Sequence, residues 1–121
     1  MPVVPYIMIG MFVVFAVFIY MTTKSAGDPE ILDALKSGAK VIDVRTVAEF
    51  KAGHYPGAIN IPVNQIDARL KMLGDPAKPV VMYCHSGMRS ASAKRIASGR
   101  GFENVINAGS YQRIMQITSN K

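Results

Sequence analysis

Hydrophobic and polar residues divide the chain into an apolar beginning and a longer part of alternating short segments. Residues 3–21 carry no charged side chain, and every charged residue of the protein lies from Lys24 onward. After that point, apolar runs typical of buried strands alternate with segments whose apolar residues recur at helical spacing. This alternation predicts an α/β fold, with an open, mostly parallel sheet flanked by helices.

The expected secondary structure follows from the same pattern. Strands are predicted over residues 39–44, 58–61, 80–83 and 104–107. Helices are predicted over residues 28–37, 46–51, 63–73 and 89–98, with a short final helix around Tyr111, Ile114 and Ile117. Asp28 is the expected N-cap of the first of these helices. The segment 63–73 has apolar residues at helical spacing, which are Val63, Ile66, Leu70 and Leu73. This pattern predicts an amphipathic helix that packs its apolar face on the sheet.

Residues 3–21 predict a single transmembrane helix. A helix of this length measures about 28 Å, close to the ~30 Å hydrocarbon core of a bilayer. Tyr6 and Tyr20 lie near its ends, where aromatic rings favour the membrane interface. A secretory signal peptide is the competing interpretation, but the basic segment that usually opens one is missing. We therefore expect an uncleaved anchor over 3–21, a linker over 22–27 and a folded domain over 28–121.

The distribution of charge suggests an orientation and a class of partner. Lys24, Lys36 and Lys40 follow the apolar span, which predicts a single-pass protein of the cell (inner) membrane whose domain faces the cytoplasm. The net charge is +6, but only Lys94 and Arg95 are adjacent basic residues, so we expect no nucleic-acid binding. A generally basic surface of this kind attracts small anions or anionic lipid headgroups.

Candidate chemistry lies where the third predicted strand ends. Cys84, the only cysteine, follows the apolar residues 80–83, and a helical pattern begins at Arg89. The first N–H groups of a helix lack internal partners and carry partial positive charge, which favours a bound anion and a thiolate. We therefore predict Cys84 as a nucleophile, although a buried structural cysteine is the alternative. The predicted substrate-binding residues of this turn are His85, Ser86, Gly87, Met88 and Arg89.

The Cys-x4-Arg spacing resembles the active-site loop of the rhodanese family of sulfurtransferases. The related cysteine phosphatases have a loop one residue longer, and that place is held here by Ser90. Two other segments resemble the same family: Asp43-Val44-Arg45 with Glu49-Phe50 shortly after it, and GHYPGAINIP over residues 53–62. The resemblance covers nearly all of residues 28–107 and implies a rhodanese-like sheet. The chain departs from the family at its end, where the turn is Ala108-Gly109-Ser110 and no tryptophan follows.

The resemblance also implies roles for residues outside the loop. Asp43 would brace the loop and Arg45 would face the substrate, while an ordinary strand-end ion pair between them is an equally good interpretation. His54 is expected to support the turn at Pro56 rather than to act in catalysis, with Glu49 or a backbone group as its partner.

The function implied is sulfur transfer through a persulfide on Cys84. The donor would be a small anion such as thiosulfate, the acceptor a thiol, a protein or cyanide, and neither a metal nor an organic cofactor would be needed. A membrane-tethered persulfide carrier or adaptor with little turnover remains open, because it needs the same loop. A cysteine-dependent phosphatase or arsenate reductase is a further alternative, which the four-residue spacing disfavours.

Overall fold

Four parallel strands form the sheet predicted from the sequence. The structure is a computed structural model that describes residues 3–23 and 26–119. The strands are β1 (Lys40–Asp43), β2 (Ile59–Asn60), β3 (Val80–Cys84) and β4 (Val105–Ser110), in the order β2-β1-β3-β4. All pairings in this sheet are parallel, so the carboxyl ends of its strands lie at one edge.

Helices cover both faces of the sheet. The helices are α1 (Val4–Thr23), α2 (Asp28–Lys36), α3 (Val47–Ala52), α4 (Met88–Gly99) and α5 (Tyr111–Ser119). Of these, α4 packs on one face of the sheet, and α2 and α5 pack on the other. The open, parallel α/β architecture flanked by helices is therefore confirmed. A strand covered on both faces needs apolar residues at consecutive positions, which explains the unbroken apolar run of β3.

Successive residues of the central strand β3 belong to two separate cores. Met82 and Cys84 pack in one core with Ala93 and Ala97 of α4, and all four residues are fully buried. Val81 and Tyr83 belong to the other core, which includes Ile31 of α2 and Ile114 of α5. The small alanines allow α4 to lie close to the sheet, which keeps its first turn next to Cys84.

The segment between β2 and β3 is not the amphipathic α-helix predicted over 63–73. It consists of two 3₁₀ segments, Val63–Gln65 and Asp67–Leu73, and the backbone at Arg69 (φ −124°, ψ 33°) leaves helical geometry. Ile66 and Leu73 are nevertheless buried against the sheet. The apolar spacing identified the buried side correctly, but spacings of three residues suit a 3₁₀ turn as well as an α-helix.

Most predicted element ends lie within one residue of the observed ones, but one predicted cap and one strand end differ more. Gly27, not Asp28, is the N-cap of α2, and the Asp28 carboxylate lies 2.8 Å from Nη2 of Arg113 in α5 instead. Strand β4 continues to Ser110, three residues past its predicted end, and α5 follows without a break. Hydrogen bonding to β3 continues to that point, with Cys84 opposite Ser110.

Helix α1 contains the predicted apolar span. Val4–Met21 is long and apolar enough to cross a membrane by length and composition, a test that a signal sequence also passes. The side chains of Val4–Met21 are exposed. Of the predicted linker over 22–27, residues 24 and 25 lie outside the described residues, as do 120 and 121 of the predicted domain.

Candidate active site

Cys84 is the last residue of β3, and the turn that follows it folds back over its sulfur. The cysteine is fully buried, and its Sγ accepts a hydrogen bond of 2.9 Å from the N–H of Gly87. Gly87 is the N-cap of α4 and has φ +96°, a left-handed conformation that side chains disfavour. This conformation lets the chain enter α4 directly after the N–H that contacts the sulfur.

A buried polar chain connects the sulfur to β4. The Ser90 hydroxyl oxygen lies 3.4 Å from Sγ of Cys84 and 2.7 Å from Oδ1 of Asn107. The Asn107 side-chain amide donates to the Gly87 carbonyl (3.2 Å), and Oδ1 also accepts from the N–H of Gly109 (3.0 Å). Since Ser90 and Asn107 are both buried, these contacts hold the turn against β4.

These contacts determine the acidity of the thiol. Burial acts to raise the pKa of Cys84, because a thiolate loses hydration there. The hydroxyl of Ser90 and the backbone N–H groups of Ser90, Ser86 and Gly87 stabilise the thiolate and outweigh burial. The pKa of Cys84 therefore lies below its ordinary value, which favours a nucleophilic thiolate.

Arg89, in the first turn of α4, forms a two-pronged ion pair with Glu49 of α3. Nη1 lies 2.7 Å from Oε1 and Nη2 lies 3.0 Å from Oε2, and each side chain is about one third exposed. The hydrogen bond from Arg89 is the main cause that lowers the pKa of Glu49 to about 2. Hydrogen bonds from Thr46 lower this pKa further, whereas burial acts to raise it. Glu49 also forms a capping box with Thr46, which fixes the carboxylate at the start of α3.

Asp43 and Arg45 form a buried ion pair beside the strand that carries Cys84. Asp43 Oδ2 accepts from Nη2 of Arg45 (2.7 Å) and from the hydroxyl of Tyr83 (2.7 Å). Arg45 also donates to the carbonyl of Gly53 (2.7 Å), and its guanidinium carbon lies 4.7 Å from the centre of the Tyr111 ring. The hydrogen bond to Asp43 raises the pKa of Arg45, although burial opposes it. The pair thus anchors Tyr83, the neighbour of Cys84.

The other predicted site residues lie at the rim of the turn or apart from it. His85, Ser86 and Met88 are exposed, while Gly87 is buried under them. His54 is also exposed; its Nδ1 lies 2.9 Å from the carbonyl oxygen of Phe50, and its ring stacks on Phe50 with centroids 3.7 Å apart. Its partner is thus a backbone group, one of the two expected.

Sequence reasoning did not assign Glu49, Ser90 or Asn107 to the site. A signal existed for Asn107, because a polar residue inside the apolar run of β4 requires a buried partner. Thr46 and Glu49 have the spacing of a capping box, which indicates a fixed carboxylate but not its partner. Within the described residues, no group of three or more His, Cys, Asp or Glu side chains is placed to hold a metal ion.

Comparison with known proteins identifies the family of this chain. Residues 28–116 match the profile of the Rhodanese-like domain. The chain is 34% identical over 106 residues to the human thiosulfate:glutathione sulfurtransferase, covering 75% of this chain and 92% of that protein. It is also 35% identical over 95 residues to the Bacillus subtilis protein YrkF, named as a candidate sulfur carrier. That match covers 73% of this chain and 51% of YrkF, so the chain spans about half the length of this relative.

A solved structure shares the fold. The human single-domain sulfurtransferase TSTD1 superposes with a TM-score of 0.67 at 29% sequence identity, covering 76% of this chain and 95% of that one. The matched profile spans every strand of the sheet, the Cys84 turn and its supporting contacts. The chain therefore belongs to the rhodanese-like family of sulfurtransferase domains.

Proposed function

We propose that this protein is a sulfurtransferase that accepts a sulfane sulfur on Cys84 and passes it to an external thiol. The observation that most supports this is the position of the Gly87 N–H, 2.9 Å from a buried Sγ that also contacts the Ser90 hydroxyl. Donors fixed around a buried sulfur stabilise its anion without reorganisation. The same donors can stabilise a persulfide anion once the sulfur has been transferred.

With thiosulfate as donor, the proposed reaction has two steps. The Cys84 thiolate attacks the outer sulfur of thiosulfate, the S–S bond of the donor breaks, and its electron pair leaves with sulfite. The Cys84 persulfide anion then takes the proton of an acceptor thiol, and the resulting thiolate attacks the outer sulfur, forms a new persulfide and releases the Cys84 thiolate. Cys84 is the one cysteine of this sequence, so in this proposal the acceptor thiol comes from another molecule. The name of the human relative pairs thiosulfate with glutathione, which supports this choice of substrates.

The remaining predicted residues have binding and supporting roles in this proposal. Arg89 and the backbone N–H groups of residues 85–89 hold the anionic donor, while the side chains of His85, Ser86 and Met88 border its entrance. Arg45, whose charge is paired with Asp43, has a positioning role: the ion pair keeps Tyr83 and hence Cys84 in place. His54 supports the turn at Pro56 through Phe50.

Replacing Cys84 by Ser tests the proposal. Wild-type protein incubated with thiosulfate should gain the mass of one sulfur atom on the Cys84 peptide, and cyanide should then release thiocyanate. The Cys84→Ser variant should do neither. Thiocyanate release by that variant at the wild-type rate would remove Cys84 from the mechanism.

A persulfide carrier is the second candidate, and the similarity to YrkF favours it. A carrier forms the same persulfide but turns over slowly with small thiols. Mixing the persulfidated protein with glutathione in excess separates the two functions. Loss of the extra sulfur within seconds supports an enzyme, whereas loss over hours supports a carrier that waits for a protein acceptor.

We also propose that α1 anchors the domain in the cell membrane, with the domain in the cytoplasm. The apolar segment Val4–Met21 and the lysines after it support this arrangement. The full chain produced in a bacterium should stay in the membrane pellet after carbonate extraction and keep its full mass. Protease should digest the domain in inverted vesicles only. A shortened soluble product would instead indicate a cleaved signal sequence.

A further inference from the structure

We propose that Glu49 determines which sulfur donors the site prefers, by cancelling the charge of Arg89 and so disfavouring doubly charged donors relative to singly charged persulfides. This inference rests on the proposed function, because it concerns the donor that meets Cys84. Glu49 lies on α3 and contributes no group to the Cys84 turn itself. Its influence on the donor would act through Arg89 and through its own charge.

The ion pair occupies only part of the guanidinium. A guanidinium carries five N–H groups, and the pair with Glu49 uses one on each terminal nitrogen. The remaining N–H groups keep the ability to bind an anion. What the pair removes is net charge, because a carboxylate at 2.7 Å and 3.0 Å accompanies the guanidinium. The donor would therefore meet a dipole in place of a full positive charge.

The carboxylate is both fixed and permanently charged. Thr46 holds it through its own N–H (3.2 Å) and hydroxyl (3.0 Å). With the pKa of Glu49 at about 2, the carboxylate remains ionised throughout the physiological range. A negative charge held in this way adds a constant repulsion to any anion that approaches Arg89.

This repulsion weighs more on some donors than on others. Thiosulfate carries two negative charges, whereas the anion of a persulfide made from an uncharged thiol carries one. Because Coulomb energy is proportional to the charge of the donor, Glu49 penalises thiosulfate about twice as strongly. The site would thus favour persulfide donors more than its arginine alone suggests.

Glu49→Gln isolates the charge. Glutamine keeps the length of the side chain and can still serve in a capping box, so α3 should remain capped. Glu103→Gln is the matched control, because it also removes one carboxylate but lies before β4, at the opposite edge of the sheet from Cys84. Both variants are made in the full-length protein and compared by thermal unfolding.

The test compares the KM for thiosulfate with that for the persulfide of 2-mercaptoethanol, an uncharged thiol. In Glu49→Gln we expect the KM for thiosulfate to fall about three- to tenfold and the KM for the persulfide to fall clearly less, so that the ratio of the two changes. Glu103→Gln should leave both near the wild-type values. An unchanged ratio, or a rise in the KM for thiosulfate, would overturn the inference and make Glu49 a structural partner of Arg89.

Two further outcomes keep this inference separate from the proposed function. If wild-type Cys84 gains sulfur from neither donor, the proposed function itself fails. If Glu49→Gln does not fold, Glu49→Ala removes the same charge together with the cap, and the same selective fall in the KM for thiosulfate is expected. The absence of that selectivity in Glu49→Ala counts against the inference in the same way.

Discussion

The hydroxyl oxygen of Ser90 lies 3.4 Å from the sulfur of Cys84. This hydroxyl has one hydrogen and three acceptors within reach, because the Gly87 carbonyl (3.1 Å) and Oδ1 of Asn107 (2.7 Å) also surround it. When Cys84 is a thiol, the Ser90 hydroxyl donates its hydrogen to Oδ1 of Asn107. When Cys84 is a thiolate, the hydroxyl can turn to the sulfur, since Oδ1 of Asn107 still accepts from Gly109. The site thus adapts to both protonation states without leaving a buried acceptor unpaired.

Ser90→Ala should raise the pKa of Cys84. The hydroxyl of Ser90 is the largest of the contacts that lower this pKa, so its loss leaves less to oppose the effect of burial. The measurement is the rate of alkylation by iodoacetamide as a function of pH, whose midpoint should move to higher pH. Ser92→Ala on the same helix is the control; that hydroxyl accepts from Arg95, and its removal should leave the midpoint unchanged. A midpoint that stays at the wild-type pH in Ser90→Ala contradicts this role.

The lowered pKa of Cys84 should also make stability depend on pH. In the unfolded chain the pKa of the Cys84 thiol is about 8.5, whereas in the folded protein it is lower. The unfolded state therefore binds more protons between these two values, and the free energy of unfolding rises with pH across that window. The gain is complete above the unfolded pKa and is lost as the pH falls through the folded one.

Urea unfolding of the wild type and Cys84→Ser at several pH values between 6 and 9.5 measures this contribution. The difference between their free energies of unfolding should increase with pH, because the other titrating groups are common to both proteins. A difference that is constant, or that falls with pH, would mean that folding does not favour the thiolate.

Tyr83→Phe should destabilise the protein by about 1–3 kcal/mol. The buried hydroxyl of Tyr83 donates to Asp43 (2.7 Å) and accepts from the N–H of Tyr55 (3.0 Å), so its loss leaves two polar groups short of a partner. Tyr111→Phe is the control, because it removes a hydroxyl from the half-buried ring that stacks on Tyr83. We expect the control to cost under about 1 kcal/mol in urea unfolding. Equal losses in both variants would argue against a special role for the Tyr83–Asp43 contact.

The sheet could be predicted because its signals are local. Continuous apolar runs such as residues 80–83 indicated strands, and the alternation with helical segments indicated a parallel sheet. The backbone of residues 63–73 could not be predicted in the same way, since apolar residues three or four apart fit both an α-helix and the 3₁₀ segments observed. The kink at Arg69 depends on how this segment fits between β2 and β3 and leaves no mark on the hydrophobic pattern.

The candidate site was predictable where its residues share one short motif, as Cys84 shares a turn with Arg89 and Asp43 a strand end with Arg45. The resemblance identified Cys84 and Arg89, which lie in one turn. Glu49 is forty residues from Arg89, and Asn107 is seventeen from Ser90. Such pairs depend on which strands and helices come together, and a single sequence does not encode that placement in a short pattern. The partners of a site residue are therefore what the structure adds.

Gly87→Ala should weaken both the fold and the thiolate. Gly87 has φ +96°, and a residue with a Cβ in a left-handed conformation costs about 1–2 kcal/mol. Relaxing that strain moves the N–H that lies 2.9 Å from the Cys84 sulfur, so the pKa of Cys84 should rise as well.

Gly99→Ala provides the matched control on the same helix: a Cβ there meets nothing within 4 Å, and alanine favours a helix over glycine by up to about 1 kcal/mol. Gly99→Ala should therefore unfold at equal or higher temperature with an unchanged alkylation midpoint, whereas Gly87→Ala should unfold earlier and react at higher pH. A Gly87→Ala variant that keeps the wild-type midpoint despite lower stability would show that the N–H of Gly87 does not tune the thiol.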